Sequence, residues 1–224
     1  MAVSIIVPTL DEEETIAQTL ANLRRQRPHE IIVADGGSQD NTCLLADAAD
    51  LVVRAPRGRA AQMNVGAAHA TGDVLLFMHA DCSLEAGALA DAERCLDAPG
   101  VAGGCFSMCV DADGLWFRLI DRCATARVRL TGLAYGDQGL FLRQDLFRQL
   151  GGFPRLALME DLFFSRELRR QGRVVVSASR VFVSPRRWRH AGLIPQTLRN
   201  WLLTALAAGG VHPDGLARFY PPVR

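Results

Sequence analysis

Apolar residues in this chain come in short runs that alternate with stripes of helical spacing, and the runs tend to end in polar clusters. Val3 to Val7, Ile31 to Ala34, Leu51 to Arg54 and Val74 to Met78 have the length of strands. Between them, Ile16, Leu20 and Leu23 recur at helical spacing, as do Met63 and Ala67 within Arg59 to Ala70. This alternation predicts right-handed crossovers and a mostly parallel sheet. The first helix is expected to follow Pro8-Thr9-Leu10 directly, with Asp11 to Glu14 as an acidic first turn suited to the helix dipole.

The pattern centres on Asp73 to Asp81. Five apolar residues follow the breaker Thr71-Gly72 and read as a strand covered on both faces, with His79 and Asp81 at its carboxyl end. Ligands of open α/β sheets bind beyond the carboxyl ends of strands, so Thr9 to Glu12, Asp35 to Ser38 and His79 to Asp81 should converge in one cleft. Two further polar clusters, Arg57 to Asn64 and Glu160-Asp161, fall where helices begin.

The later alternation is looser. Glu85 to Leu96 and Trp116 to Leu130 read as helices, and Gly103-Gly104 with Cys105 to Val110 as a strand bent by glycines. Gly139 to Arg143 is a predicted strand, Asp145 to Leu150 a short helix, and Leu162 to Arg170 a helix. Val174 to Ser177 and Val181 to Ser184 read as two strands, Leu193 to Ala208 as a final helix, and the proline-rich tail from Pro213 to Arg224 as loosely ordered.

Composition narrows the class. The chain has 224 residues, a net charge of +1, 49% hydrophobic and 22% charged residues. It can therefore bury an α/β core without staples, and it offers no charge reason to bind nucleic acid. Six cysteines, at 43, 82, 95, 105, 109 and 123, form neither a CxxC pair nor a disulfide framework, and are expected to be reduced thiols of a cytoplasmic protein. Neither a signal peptide nor a membrane span is expected, since Trp201 to Ala208 is well short of the roughly 20 residues a span needs. Absence of GxGxxG and GxxxxGK[ST] argues against dinucleotide and P-loop enzymes.

Pro8 to Glu13, Val33 to Thr42, the His-Ala-Asp strand end and Met159-Glu160-Asp161, in that order, resemble a family 2 glycosyltransferase of the GT-A fold. The resemblance implies one α/β domain over 1–224, a Rossmann-like nucleotide half (1–110) fused to an acceptor half (111–224). Arg57 to Asn64, Gly136-Asp137-Gln138 and Arg186-Arg187-Trp188 further resemble a small bacterial subgroup associated with radical-SAM and arsenosugar-type pathways. Implied partners are a nucleotide-sugar donor, expected to carry UDP, and an acceptor that no motif names. A catalytically inactive nucleotide-sugar binder and a sugar-phosphate nucleotidyltransferase are the alternatives; the latter normally has a Gly-rich loop where Pro8-Thr9-Leu10-Asp11 stands.

By this resemblance Pro8, Thr9, Glu12, Asp35, Gly36, Arg57, Arg59, Asn64, His79 and Ala80 meet the nucleotide. A carboxylate at Asp35 suits an imide N–H of the base, although an Asx turn accounts for the same residue. Arg57 and Arg59, ahead of a helix, suit a diphosphate, or are a solvated basic loop. Asp81 stands at the last position of the family's Asp-x-Asp motif, which holds a divalent cation, Mn²⁺ or Mg²⁺; His79 replaces the first Asp. His190 would complete the metal site, or is a surface histidine. Gly136, Asp137, Gln138, Arg187 and Trp188 would face donor sugar or acceptor. Asp161, with Glu160 as its alternate, would be the general base of an inverting displacement, unless the pair only caps a helix. Arg186, Arg187, Arg189 and Trp188 beside an apolar helix leave open a peripheral contact with an anionic membrane, a role for which phosphate binding and packing compete.

Overall fold

Strand β1, Val3–Thr9, is buried along its whole length because a strand lies on each side of it. It pairs in parallel with β2 (Glu30–Asp35), which pairs in parallel with β3 (Leu51–Arg54), and on its other edge with β4 (Val74–Phe77). In this computed structural model, which describes residues 1–220, Ile5, Val7, Ile31 and Val33 pack with Ile16, Leu20 and Leu23 of α1 (Ile16–Arg25). Ile6 and Ile32 pack instead with Ala60, Met63 and Ala67 of α2 (Arg59–His69). The two-residue period of the strands thus sorts side chains between two helical layers.

The predicted parallel pairing holds throughout these four strands. Beyond β4 the eight-stranded order β3-β2-β1-β4-β7-β6-β8-β5 is mixed. Strand β7 (Leu140–Arg143) runs antiparallel to β4 and to β6 (Val101–Val110), β8 (Arg173–Val183) is parallel to β6, and β5 (Cys82–Leu84) closes the edge antiparallel to β8. No crossover helix joins β6 to β7 in the βαβ manner: α4 (Leu115–Thr131) and the 3₁₀ turn Gly136–Gln138 return the chain in the reverse direction.

Gly103 and Gly104 lie opposite Leu142 and Phe141. A Cβ at Gly104 would sit 2.6 Å from Cζ of Phe141, so glycine here admits an aromatic ring across the strand. The two strands expected from Val174 to Ser184 are one, because a register shift opposite Cys105 and Ser107 absorbs the polar Ser177 to Arg180.

Helices α3 (Ala88–Asp97), α5 (Gln144–Gln149), α6 (Glu160–Gln171), α7 (Arg186–Ala191), α8 (Leu193–Ala208) and α9 (Pro213–Ala217) complete the fold. Phe164 of α6 packs 4.6 Å from Phe153, which meets Phe77 of β4 edge-on at 4.8 Å. This aromatic chain fixes the start of α6 relative to the strand that carries His79. The tail is more ordered than expected as far as Tyr220: Leu216 is buried with Leu158 and Leu203, and Asp214 accepts the N–H of Ala157 at 2.8 Å. The rest of that expectation, residues 221–224, lies outside the described residues. All six cysteines are free thiols, and no helix among the described residues is long and apolar enough to cross a membrane.

Candidate active site

The carboxyl end of β1, the start of α2 and the turn after β4 meet in a cleft of about 360 Å³ lined by Thr9, Glu12, Arg57, Arg59, His79 and Asp81, while the end of β2, with Asp35 and Gly36, lies outside that lining. Register alone puts Thr9 beside Asp35. The acidic run before α1 forms only a single turn, closed by the Ile16 N–H on the Glu12 carbonyl at 3.0 Å, and is not part of the helix. Its acids instead lace the loop to the one after β2: Asp11 accepts the N–H of Gln39 at 2.8 Å, Glu13 that of Asn41 at 3.0 Å, and Asp40 that of Glu13 at 3.1 Å. Backbone donors of two loops consume these charges, and α1 starts at Ile16.

Asp35 closes an Asx turn, accepting the N–H groups of Gly37 and Ser38 at 2.9 and 3.1 Å and the Ser38 hydroxyl. Burial works against its charge, but these bonds outweigh it and hold its carboxyl below the usual range. Gly36 lies against the Gln62 amide, which donates to the carbonyls of Thr9 and Ala34. Gln62 lies within the polar run Arg57 to Asn64 on the buried face of α2, where its type alone does not mark it as a site residue.

Arg59 opens α2, whose first turn has no side-chain cap, and its Nε lies 3.4 Å from Glu160. That buried carboxylate holds the guanidinium firmly charged. Arg57 is exposed at the cleft rim, and Arg187 lies over the Tyr220 ring at 5.0 Å. Arg186 crosses the cleft to Glu12 and Asp81. Ala80 is buried, its carbonyl held by the Thr19 hydroxyl at 2.7 Å.

A second chamber opens from the same cleft past His79 and Asp81 to Asp137 and Asp161. Met159, in the left-handed region at φ 64°, turns the chain into α6 so that the acidic pair divides. Glu160 faces Arg59, whereas Asp161 accepts the N–H of Gly136 and, at 2.7 Å, that of Leu162. A Cβ at Gly136 would lie 2.8 Å from His79 Nε2 and 3.2 Å from Asp161 Oδ2, so both side chains close on this one glycine. Burial raises the Asp137 carboxyl to about 6, and its Oδ1 has no partner.

His79, Asp81 and Cys82 place one ligand atom each within 4.8 Å of one another. The residues fit a divalent cation. Burial, then Arg59, lowers His79 to about 3, so its ring is neutral, and its buried Nε2 has no hydrogen-bond partner among the described residues. Cys82 is held in its thiol form by burial, which leaves His79 and Asp81 as the ligating pair.

Several expected residues have other partners in the fold. The Asn64 side chain binds both the N–H and the carbonyl of Phe153 at 2.9 Å and does not line the cleft. His190 is exposed at the end of α7 and outside the His79 group. Trp188 is buried against Phe117 and donates to Thr197 at 3.3 Å, although it borders the second chamber. Gln138 is buried and accepts from Arg127 at 2.6 Å. Of the arginine run, Arg186 and Arg187 line the cleft, Trp188 is buried and Arg189 is exposed.

Residues 4–150 match the Glycosyl transferase family 2 domain. No curated protein sequence matches the chain. Among solved structures, S. aureus TarS 1–349 in complex with UDP-GlcNAc superposes with a TM-score of 0.67 at 21% identity, over 82% of this chain and 58% of that one. The mannosyltransferase PcManGT from Pyrobaculum calidifontis, in complex with GDP-Man and Mn²⁺, has a TM-score of 0.67 at 22% identity, over 94% and 65%. GalNAc-T7 with UDP, GalNAc and Mn²⁺ has a TM-score of 0.64 at 16% identity, over 82% and 44%. The chain spans about three fifths of the length of the TarS fragment. These likenesses show the GT-A fold.

Proposed function

The chain belongs to glycosyl transferase family 2, and on that premise we propose that its cleft takes a nucleoside-diphosphate sugar, with UDP as the expected nucleotide, and inverts the anomeric centre on transfer to an acceptor hydroxyl. One observation carries the reading: His79 and Asp161 close on Gly136, so a cation-holding group and a carboxylate base share one reaction space. In the proposed step Asp161 takes the acceptor's proton as the oxygen–C1 bond forms. The bond from C1 to the diphosphate oxygen breaks with its electron pair, and nucleoside diphosphate leaves. Arg59 and Arg187 hold the departing charge, and Thr9, Asp35 and Gly36 the nucleoside. A divalent cation on His79 and Asp81 would supply further charge neutralisation for that leaving group.

Support for UDP comes from the UDP-GlcNAc complex of TarS, and support for Mn²⁺ from the PcManGT and GalNAc-T7 complexes. The narrower subgroup reading, with its radical-SAM and arsenosugar-type setting, is favoured by Arg57, Asp137 and Arg187, one from each of its three motifs, standing at the cleft or its inner chamber. A cytoplasmic setting suits six free thiols. Hydrolysis of UDP- and GDP-sugars with and without Mn²⁺ tests the proposal. Mn²⁺-dependent release of UDP is the expected result; binding of donor without any release, in the presence of candidate acceptors, would favour the inactive binder.

A further inference from the structure

Helices α4 and α8 flank a groove of about 360 Å³ whose inner end reaches Tyr135 and Asp137. The same two residues border the chamber that holds Asp161. The groove therefore ends against a wall that it shares with the chamber of the candidate base, part of which is the Tyr135–Thr204 pair. Its walls are mainly carbon, from Met108, Ile120, Ala124, Trp201 and Ala205. The polar groups present are largely committed: Arg127 donates to Leu133 and Gln138 and stacks over Tyr135 at 3.5 Å, and the Tyr135 hydroxyl pairs with Thr204 at 2.7 Å. Such a lining selects an apolar ligand.

The outer lip is apolar as well. Ile194, Leu198, Trp201 and Leu202, spaced along one face of α8, are each 56–60% exposed, and Leu115 at the start of α4 is 91% exposed. A small soluble acceptor would fill the groove and leave this face in water. The charge of the surface points to what covers both. Together α4 and α8 carry five arginines, of which Arg122 and Arg129 are exposed while Arg118, Arg127 and Arg199 are half-buried, and one acid, Asp121, which is buried and answers Arg118 at 2.9 Å. Asp111 and Asp113 stand before α4, outside the two helices. An apolar helical face bordered by guanidinium groups suits the headgroup boundary of an anionic bilayer.

We propose that the α4–α8 face rests on an anionic membrane and that the groove takes the hydrocarbon portion of a lipid-borne acceptor, bringing its hydroxyl to the wall shared with the chamber of Asp161. This rests on the transferase reading only for the identity of the groove's inner end. It also relocates the membrane contact from the Arg186 to Arg189 run to a different surface.

Flotation of the full chain with phosphatidylcholine vesicles, with and without about one third phosphatidylglycerol, tests the contact. Cys123, an exposed thiol in the groove, reports its occupancy through mapped alkylation by a water-soluble maleimide. The chain is expected to float with anionic vesicles, with Cys123 alkylation slowed at least several-fold. Leu198→Ser with Trp201→Ser should cut the bound fraction roughly tenfold, because binding scales with buried apolar area. Both residues are exposed, so an unchanged melting temperature and unchanged UDP–Mn²⁺ affinity are the controls. No flotation, flotation indifferent to the double substitution, or Cys123 equally reactive on vesicles would overturn the proposal, whether or not UDP binds. Loss of UDP binding in a chain that still floats would count against the transferase reading alone.

Discussion

Arg186 holds both carboxylate oxygens of Glu12 at 2.7 Å, and its Nε lies 2.9 Å from Oδ2 of Asp81. One side chain from the last third of the chain thus ties the end of β1 to the turn after β4. Burial disfavours its charge, but Glu12 and Asp81 outweigh that cost and raise its affinity for the proton further. Arg186→Gln would leave two carboxylates facing each other. A stability loss of about 1.5–3 kcal/mol is expected from the lost charge-assisted bonds. Mn²⁺ should restore part of it by binding only the folded state. Chemical unfolding with and without Mn²⁺ checks this; wild-type stability under both conditions would speak against the clamp.

The acidic pair should separate kinetically. Asp161→Asn keeps its size but cannot take a proton at neutral pH, so transfer should fall by about 10²-fold or more with donor affinity nearly unchanged. Glu160→Gln removes the charge facing Arg59 and should weaken donor binding or stability before it affects the proton transfer. Comparison of kcat and donor Kd for the two variants decides. Equal, small effects on kcat would return the pair to helix capping.

Asp137 gives a pH signature of unusual sign. Its folded value of about 6 exceeds the ordinary 3.8, chiefly through burial, so the folded chain keeps a proton that the unfolded chain has released. Its contribution to stability is therefore complete below about pH 4 and lost as pH rises through about 6. Asp137→Asn should remove this decline, a difference on the order of 2 kcal/mol between about pH 4 and about pH 7. Urea unfolding across that window, in chelator, is the check; parallel profiles for the two proteins would contradict it.

Asn64→Ala should act on folding alone. Two hydrogen bonds to the Phe153 backbone are lost, which is expected to cost about 1–3 kcal/mol. Titration of UDP into the variant should match wild type. A large drop in affinity at unchanged stability would return Asn64 to the nucleotide site.

What the sequence made legible was the periodic part of the fold. Ile16, Leu20 and Leu23, or Met63 and Ala67, show their buried faces by spacing, and parallel strands place Thr9 beside Asp35 and in one cleft with His79 by topology. Long-range pairing was not legible. Nothing near Arg186 signals Glu12, 174 residues away, and nothing near Asn64 signals Phe153. The reversed direction of β7 escaped notice because a short strand reads the same either way. Asp11 to Glu14 misled because acids suit a helix start and backbone donors of a neighbouring loop equally well.

The proposed cleft binds a nucleoside diphosphate through a cation held at Asp81. Calorimetric titration of UDP into wild type and Asp81→Ala, each with Mn²⁺ and with chelator, tests it most directly. Wild type is expected to bind at least about tenfold more tightly with Mn²⁺, a gain of about 1.4 kcal/mol, and Asp81→Ala to show no such gain. The same Mn²⁺ dependence in both proteins, or no binding of UDP or GDP by wild type, would contradict the account.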